Sequence, residues 1–312
     1  MSIHEPMRPT PTHLPDSTLT GVIHGPLHHA GSYDLLSVRL PTGLLGDEDG
    51  QGGSVAGRYF LARCGAQSQW ERAERWDIYW RRPLLAVDRR AGRDAGAGET
   101  VWQLAMPRTG GLMPADPGYR WLAQLGSGAP VNLMGPLGNS LTLAHTTKNL
   151  LILADGPRLA LALPAIHAAL DRGGQVTLLL DRPDPVDQVD KVDQVDQVSQ
   201  DLPLSLLPLP VEVRVTQDPD EWQDALADLL RWADQLYSVV DPTRHASFYP
   251  DLARLIRQER FQLEPGFAQI WVDAPLVCGT GACLVCVVPT AGGGVTRACV
   301  HGPVFDLGRL TA

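Results

Sequence analysis

Four of the five cysteines in this 312-residue chain sit close to its C-terminus, as Cys278-Gly279-Thr280-Gly281-Ala282-Cys283-Leu284-Val285-Cys286 and then Cys299. The spacing is C-x4-C-x2-C followed by a separate fourth cysteine. This is the plant-type arrangement of a [2Fe–2S] cluster, in which four thiolates hold two irons. Three thiols on one short loop must turn toward a common point, so the loop has to fold back on itself. Gly279 and Gly281 suit that path, because glycine takes positive φ at little steric cost. They also let backbone N–H groups approach the cluster sulfurs, which tunes the metal. Two readings compete. Structural zinc ordinarily pairs two C-x2-C knuckles, and only one is present here. The other is a disulfide pair or buried free thiols.

The charge balance narrows the function classes. Asp and Glu number 35 against 26 Lys and Arg, a formal net charge of −9. Nucleic-acid binders draw most of their affinity from Lys and Arg on phosphates, so that class is excluded. Lysine occurs only at Lys148 and Lys191. No apolar run reaches the ~18 residues of a membrane span, and the Pro-, His- and Thr-rich start lacks the apolar region of a signal peptide. Few cysteines gathered at one site fit a reducing cytoplasm. His24, His28 and His29 lack a carboxylate or cysteine at ligand spacing and read as surface side chains, and Cys64 reads as a packed core thiol.

The chain divides by pattern into a tail at 1–17, a barrel at 18–145, an α/β region at 146–262 and a cluster domain at 263–312. Short apolar segments at 19–23, 33–40, 58–63, 84–87 and 101–106 are bounded by Gly, Pro and Asp. That rhythm predicts an antiparallel β-barrel. Asn149–Ala154 reads as a buried parallel strand, 157–172 as a helix ended by Gly173-Gly174, and 176–180 and 211–215 as further strands. Helices are expected at 222–236, with Ala225, Leu226, Leu229, Leu230 and Ala233 on one face, and at 250–260. Alternating strands and helices predict a doubly wound sheet. An insertion at 185–200 repeats Val-Asp-Gln with period three, which fits neither strand nor helix and reads as a disordered loop.

The segment Cys278–Val288, with Arg297-Ala298-Cys299-Val300-His301-Gly302-Pro303-Val304-Phe305, resembles the cluster segment of the electron-transfer subunit of dihydroorotate dehydrogenase B. That family, within the ferredoxin–NADP reductase superfamily, carries a CGxGxCxxC loop followed by C-x-x-G-P-V-F. The resemblance implies a multidomain α+β fold: an FAD-binding antiparallel β-barrel, a doubly wound α/β nucleotide-binding-like domain and a small [2Fe–2S] domain. It implies Cys278, Cys283, Cys286 and Cys299 as cluster ligands. Val55-Ala56-Gly57-Arg58-Tyr59-Phe60 resembles the family's Pro-Gly-Gln-Phe strand. Arg81-Arg82-Pro83-Leu84-Leu85 resembles its Arg-Pro-x-Ser flavin motif, where arginine offers a planar fork to pyrophosphate; Leu85 stands in place of the serine. Val101-Trp102-Gln103 falls where the family meets the adenine side of FAD, and Arg108-Thr109 where it reaches phosphate with Gly-Thr. Gly135-Pro136-Leu137-Gly138-Asn139 matches the turn that ends the barrel.

The resemblance weakens in the α/β region. The family's Gly-Gly-x-Gly turn reads Ala154-Asp155-Gly156-Pro157-Arg158 here. Asp155 adds an anion beside the expected phosphate, and Pro157 lacks an N–H. The family's Cys-Gly-Pro reads Val240-Asp241-Pro242, and its Gly-Ser segment reads Thr216-Gln217-Asp218-Pro219. NAD binding is therefore doubtful. The resemblance implies an FMN-containing, dihydroorotate dehydrogenase-type catalytic partner, with electrons passing between it and an acceptor such as NAD through the cluster and FAD. The chain itself carries no catalytic residue in this reading. The alternatives are a relay or iron–sulfur module of another complex without a nicotinamide link, and a structural or iron-sensing protein without flavin.

Overall fold

The computed structural model describes residues 18–45, 54–65, 80–90, 98–108, 116–181, 204–216 and 218–311. The tail, the Val-Asp-Gln repeat and Thr109 lie outside the described residues.

The barrel is built from β1 (Leu19–Ile23), β2 (His28–Ala30), β3 (Tyr33–Pro41), β4 (Tyr59–Ala62), β5 (Arg82–Arg90), β6 (Glu99–Pro107) and, after helix α1 (Pro117–Ala123), β7 (Pro130–Leu137). The strands run in the order β1-β7-β4-β5-β6-β3, and β1 pairs back onto β3 to close the barrel, with β2 flanking β3. Alternation along the strands explains the closure, since successive side chains point to opposite faces. On β6, Trp102, Leu104 and Met106 enter the barrel core. Ala105 faces the neighbouring α/β layer.

That layer opens with β8 (Asn149–Asp155), which continues into a 3-10 turn (Gly156–Leu161), helix α2 (Leu163–Leu170) and β9 (Gln175–Asp181). After β10 (Val211–Val215) come α3 (Pro219–Trp232), β11 (Gln235–Val239), α4 (His245–Arg260) and β12 (Ala268–Trp271). β10, β9, β8, β11 and β12 lie side by side in that order, all parallel. β8 is buried on both faces: Leu150, Ile152 and Ala154 face the barrel-side core, and Leu151 and Leu153 the α3–α4 side. The doubly wound expectation holds. The single helix expected at 157–172 is instead a 3-10 turn and a separate helix. Pro164 cannot donate an N–H and its ring crowds the preceding turn, so the helix restarts with Pro164 in its first turn. The helix expected to reach Leu236 ends at Trp232, and Leu236 belongs to β11.

Beyond β12 the chain forms the cysteine loop, the hairpin β13 (Val287–Pro289) and β14 (Val295–Arg297), the short helix α5 (Ala298–His301), β15 (Val304–Asp306) and the final turn α6 (Leu307–Leu310). β15 adds antiparallel to β12, so the C-terminal segment clips onto the edge of the parallel sheet. The barrel holds it from the other side. Asn139 donates its backbone N–H to the Gly302 carbonyl and its side-chain amide to the His301 carbonyl, both at 2.6 Å. The buried Tyr59 hydroxyl donates to the Cys299 carbonyl at 3.0 Å.

That last bond joins the barrel to the backbone of a candidate ligand. Tyr59→Phe leaves the Cys299 carbonyl buried without this donor and should cost about 1–3 kcal/mol. The expected readout is a lower denaturant midpoint by near-UV circular dichroism; an unchanged midpoint would show that the seam does not depend on the bond.

Candidate iron–sulfur site and adjoining cavity

Between Cys278 and Cys286 the chain has only bends and turns. Gly279 and Gly281 take φ of 70° and 76°. A Cβ on Gly279 would sit 2.7 Å from Leu137 Cδ1 of the barrel, and one on Gly281 would sit 2.9 Å from Val300 Cγ2. Each position thus demands glycine twice, for conformation and for space. Leu284 also adopts positive φ, 57°, and its side chain is exposed.

None of the five cysteines is in a disulfide. Among the described residues no group of three or more His, Cys, Asp or Glu side chains is arranged to hold a metal ion. The four loop thiols fall instead into two pairs. The sulfurs of Cys278 and Cys283 are 3.3 Å apart at the surface. Cys286 and Cys299 are within hydrogen-bonding reach of each other and buried. A two-by-two division suits a two-iron cluster, in which each iron takes two thiolates, better than a single tetrahedral zinc.

The electrostatics differ between the pairs. Burial works to raise the Cys278 thiol, but N–H groups of Cys283 and Thr280 and the Thr280 hydroxyl donate to its sulfur and bring it down to about 6. Such donors stabilise a thiolate. Burial pushes Cys299 up to about 12, helped by the adjacent Cys286; a metal cation at that pair would reverse the balance. The Arg297 guanidinium braces the loop by donating to the Gly281 carbonyl at 3.2 Å.

The barrel contributes the second half of the region. Arg82 Nε lies 2.8 and 3.0 Å from the two Asp116 carboxylate oxygens. Asp116 also accepts from the N–H groups of Gly118 and Tyr119 at 2.8 and 3.1 Å, capping α1. Arg81 is engaged elsewhere, donating to Asn132 Oδ1 at 2.7 Å and the Leu61 carbonyl at 2.9 Å. Beside Arg82 a cavity of about 120 Å³ lies between the barrel and the α/β layer, lined by Tyr33, Pro83, Leu85, Pro107, Tyr119 and Trp271 through Ala274, and by Leu276. Pro83 and Leu85 reach it because they alternate with Leu84, which is fully buried. Trp102 is also buried, packed edge-to-face on Phe60 at 5.2 Å inside the barrel. Val101 and Gln103 are half-buried and Arg108 is exposed. The structure therefore gathers Arg82, Pro83 and Leu85, and leaves Leu84 and Trp102 in the core.

Sequence reasoning missed Asp116, Tyr119, Tyr33 and Trp271. The Asp116-Pro117 pair carried a helix-start signal, a capping carboxylate before a first-turn proline. The three aromatics carried none, because only tertiary packing brings them to the seam.

Tested against FAD, Arg82 supplies the fork that a pyrophosphate would take. Its Nε and the N–H groups of Gly118 and Tyr119 are held by the Asp116 carboxylate, so a phosphate would have to displace that carboxylate. A Cβ on Gly118 would fill the cradle, 3.0 Å from Arg82 Nε and from Asp116 Oδ1. The aromatic and proline walls suit a flat ring. The cavity is smaller than the ~300–1,000 Å³ of most small-molecule sites, so a ring would need the two walls to part.

Comparison with known proteins agrees with this architecture. Residues 274–311 match the iron–sulfur cluster binding domain of dihydroorotate dehydrogenase B. The whole chain is similar in fold to an NADH-dependent reduced ferredoxin-NADP oxidoreductase, with TM-score 0.57 and 18% identity, covering 94% of this chain and 90% of that one. Phthalate dioxygenase reductase aligns with TM-score 0.46 and 15% identity over 92% of this chain and 78% of its own. No curated protein matches the chain. The molecule thus has a ferredoxin reductase-type fold. Its C-terminal segment, residues 274–311, is the part similar to the dihydroorotate dehydrogenase B iron–sulfur domain.

Cys283 is the exposed member of the surface pair. Cys283→Ser should abolish the visible absorption of the iron-loaded chain; an unaltered spectrum would exclude it as a ligand.

Proposed function

We propose that this chain is an electron-transfer subunit that holds a [2Fe–2S] cluster on Cys278, Cys283, Cys286 and Cys299 and FAD at the barrel seam. Its partner in this reading is an FMN-containing, dihydroorotate dehydrogenase-type catalytic subunit. The cluster supplies one-electron transfer when bound, and a flavin supplies the exchange between one- and two-electron chemistry.

One observation carries the reading. The cavity wall runs straight into the cluster loop: Leu276 lines the cavity and lies two residues before Cys278. Leu85, also on the cavity, packs against the same core that contains Leu276, Cys286 and Cys299. A ring in the cavity and a cluster on the thiols would be separated by packed side chains and not by water. Leu284, Val285 and Val287, which follow Cys283 in the chain, are exposed, as is Val295 on the neighbouring strand β14. Exposed apolar side chains next to a ligand loop suit contact with a protein partner.

In this reading Arg82 binds pyrophosphate, Tyr119 and Pro83 wall the ring, and Asp116 competes with the phosphate for Arg82. Among the described residues no helix is long and apolar enough to cross a membrane.

Arg82→Ala should weaken FAD retention by roughly 1.5–3 kcal/mol, the scale of a hydrogen bond to a charged group. Flavin content after reconstitution and dialysis is the readout. A chain that takes up no FAD under those conditions would overturn the flavin part of the proposal and leave the cluster part standing.

A further inference from the structure

An open α/β sheet binds nucleotides in the crevice outside the carboxyl ends of its strands, at the point where strand order reverses. Here that point lies between β8 and β11: the chain proceeds from β8 outward to β9 and β10, then returns to β11 and β12 on the other side. The crevice is bridged by the chain's own groups. Asp155, the last residue of β8, is buried and accepts the N–H of Asp241, just past the end of β11. Its other oxygen accepts from Arg244 Nη1 at 2.9 Å. One carboxylate thus takes the N–H and the guanidinium that face the switch point.

Two further contacts close the same edge. Arg158, buried in the turn after β8, pairs with Asp273 beyond the end of β12. From the barrel, the turn between β2 and β3 sits on the β8 turn: Ser32 N–H donates to the Pro157 carbonyl at 3.0 Å. A Cβ on Gly31 would lie only 2.7 Å from that carbonyl oxygen. Strand end, return loop, cluster-domain root and barrel hairpin therefore all meet at the place a dinucleotide needs. A pyrophosphate requires converging N–H donors and no anion beside them. This edge presents Asp155 in front of its donors and a proline at the second position of the turn.

We infer that the nucleotide crevice of this chain is permanently filled by the Asp155–Arg244 and Arg158–Asp273 pairs, so that electrons enter and leave the chain without a nicotinamide dinucleotide bound to it. The consequence for electron flow rests on the proposed electron-transfer role; the closure itself does not. The role of the two pairs is structural: Asp155–Arg244 ties β8 to the loop after β11, and Arg158–Asp273 ties the turn after β8 to the root of the cluster domain.

Calorimetric titration of the full chain with NADH and with NADPH tests the closure, and needs neither flavin nor turnover, so failure of the flavin reading leaves the result interpretable. The expected result is no saturable heat up to about 1 mM nucleotide. Asp155→Gly frees the Asp241 N–H and the Arg244 guanidinium toward the crevice and should tighten binding at least tenfold. Asp155→Asn, which keeps the side chain's size and removes its charge, carries the comparison if the glycine variant does not fold. Saturable binding tighter than about 1 mM by the unmodified chain, or no gain in a folded Asp155 variant, would overturn the inference.

Discussion

The cysteine loop has no regular structure to hold it, and its shape is imposed from outside. Leu137 and Leu61 of the barrel press against Gly279. The Cys286 carbonyl accepts the Ala298 N–H at 2.9 Å, which sets the fourth cysteine beside the third. Tyr59 fixes the backbone at Cys299, and Asn139 fixes it just beyond, at His301 and Gly302. Two sulfur pairs can face each other only while barrel, hairpin and sheet edge stay docked. The rest of the chain can be read as the support for that docking: β15 clips the segment to the sheet, and Arg158 ties its root to β8.

This dependence explains the gradient across the site. The inner pair, Cys286 and Cys299, shares a core with barrel and sheet residues, and burial of Cys299 disfavours its bare thiolate. The outer pair sits at the surface, where N–H donors favour the thiolate of Cys278.

The parts legible in the sequence were those in which chemistry constrains residue type at short range. Cysteine spacing and the two loop glycines follow from the geometry of a cluster loop. The unbroken apolar run Leu150–Ala154 fits a strand covered on both faces. Long-range effects were hidden. β11 follows α3 with no Gly or Pro between them, so the helix ran on past its true end. Trp102 stands in a segment suggestive of ligand contact, and its burial against Phe60 depends on strands far apart in sequence. Asp155 was visible as an unfavourable charge, but Arg244 and Asp273, which turn the edge into a closed one, lie 89 and 115 residues from their partners.

The central claim is that the four thiols hold two irons. The most direct measurement is iron, acid-labile sulfide and zinc analysis of the full chain purified without oxygen, followed by reductive titration. The account predicts about two irons and two sulfides per chain, with a visible spectrum that bleaches on one-electron reduction. One zinc per chain and no sulfide would contradict it.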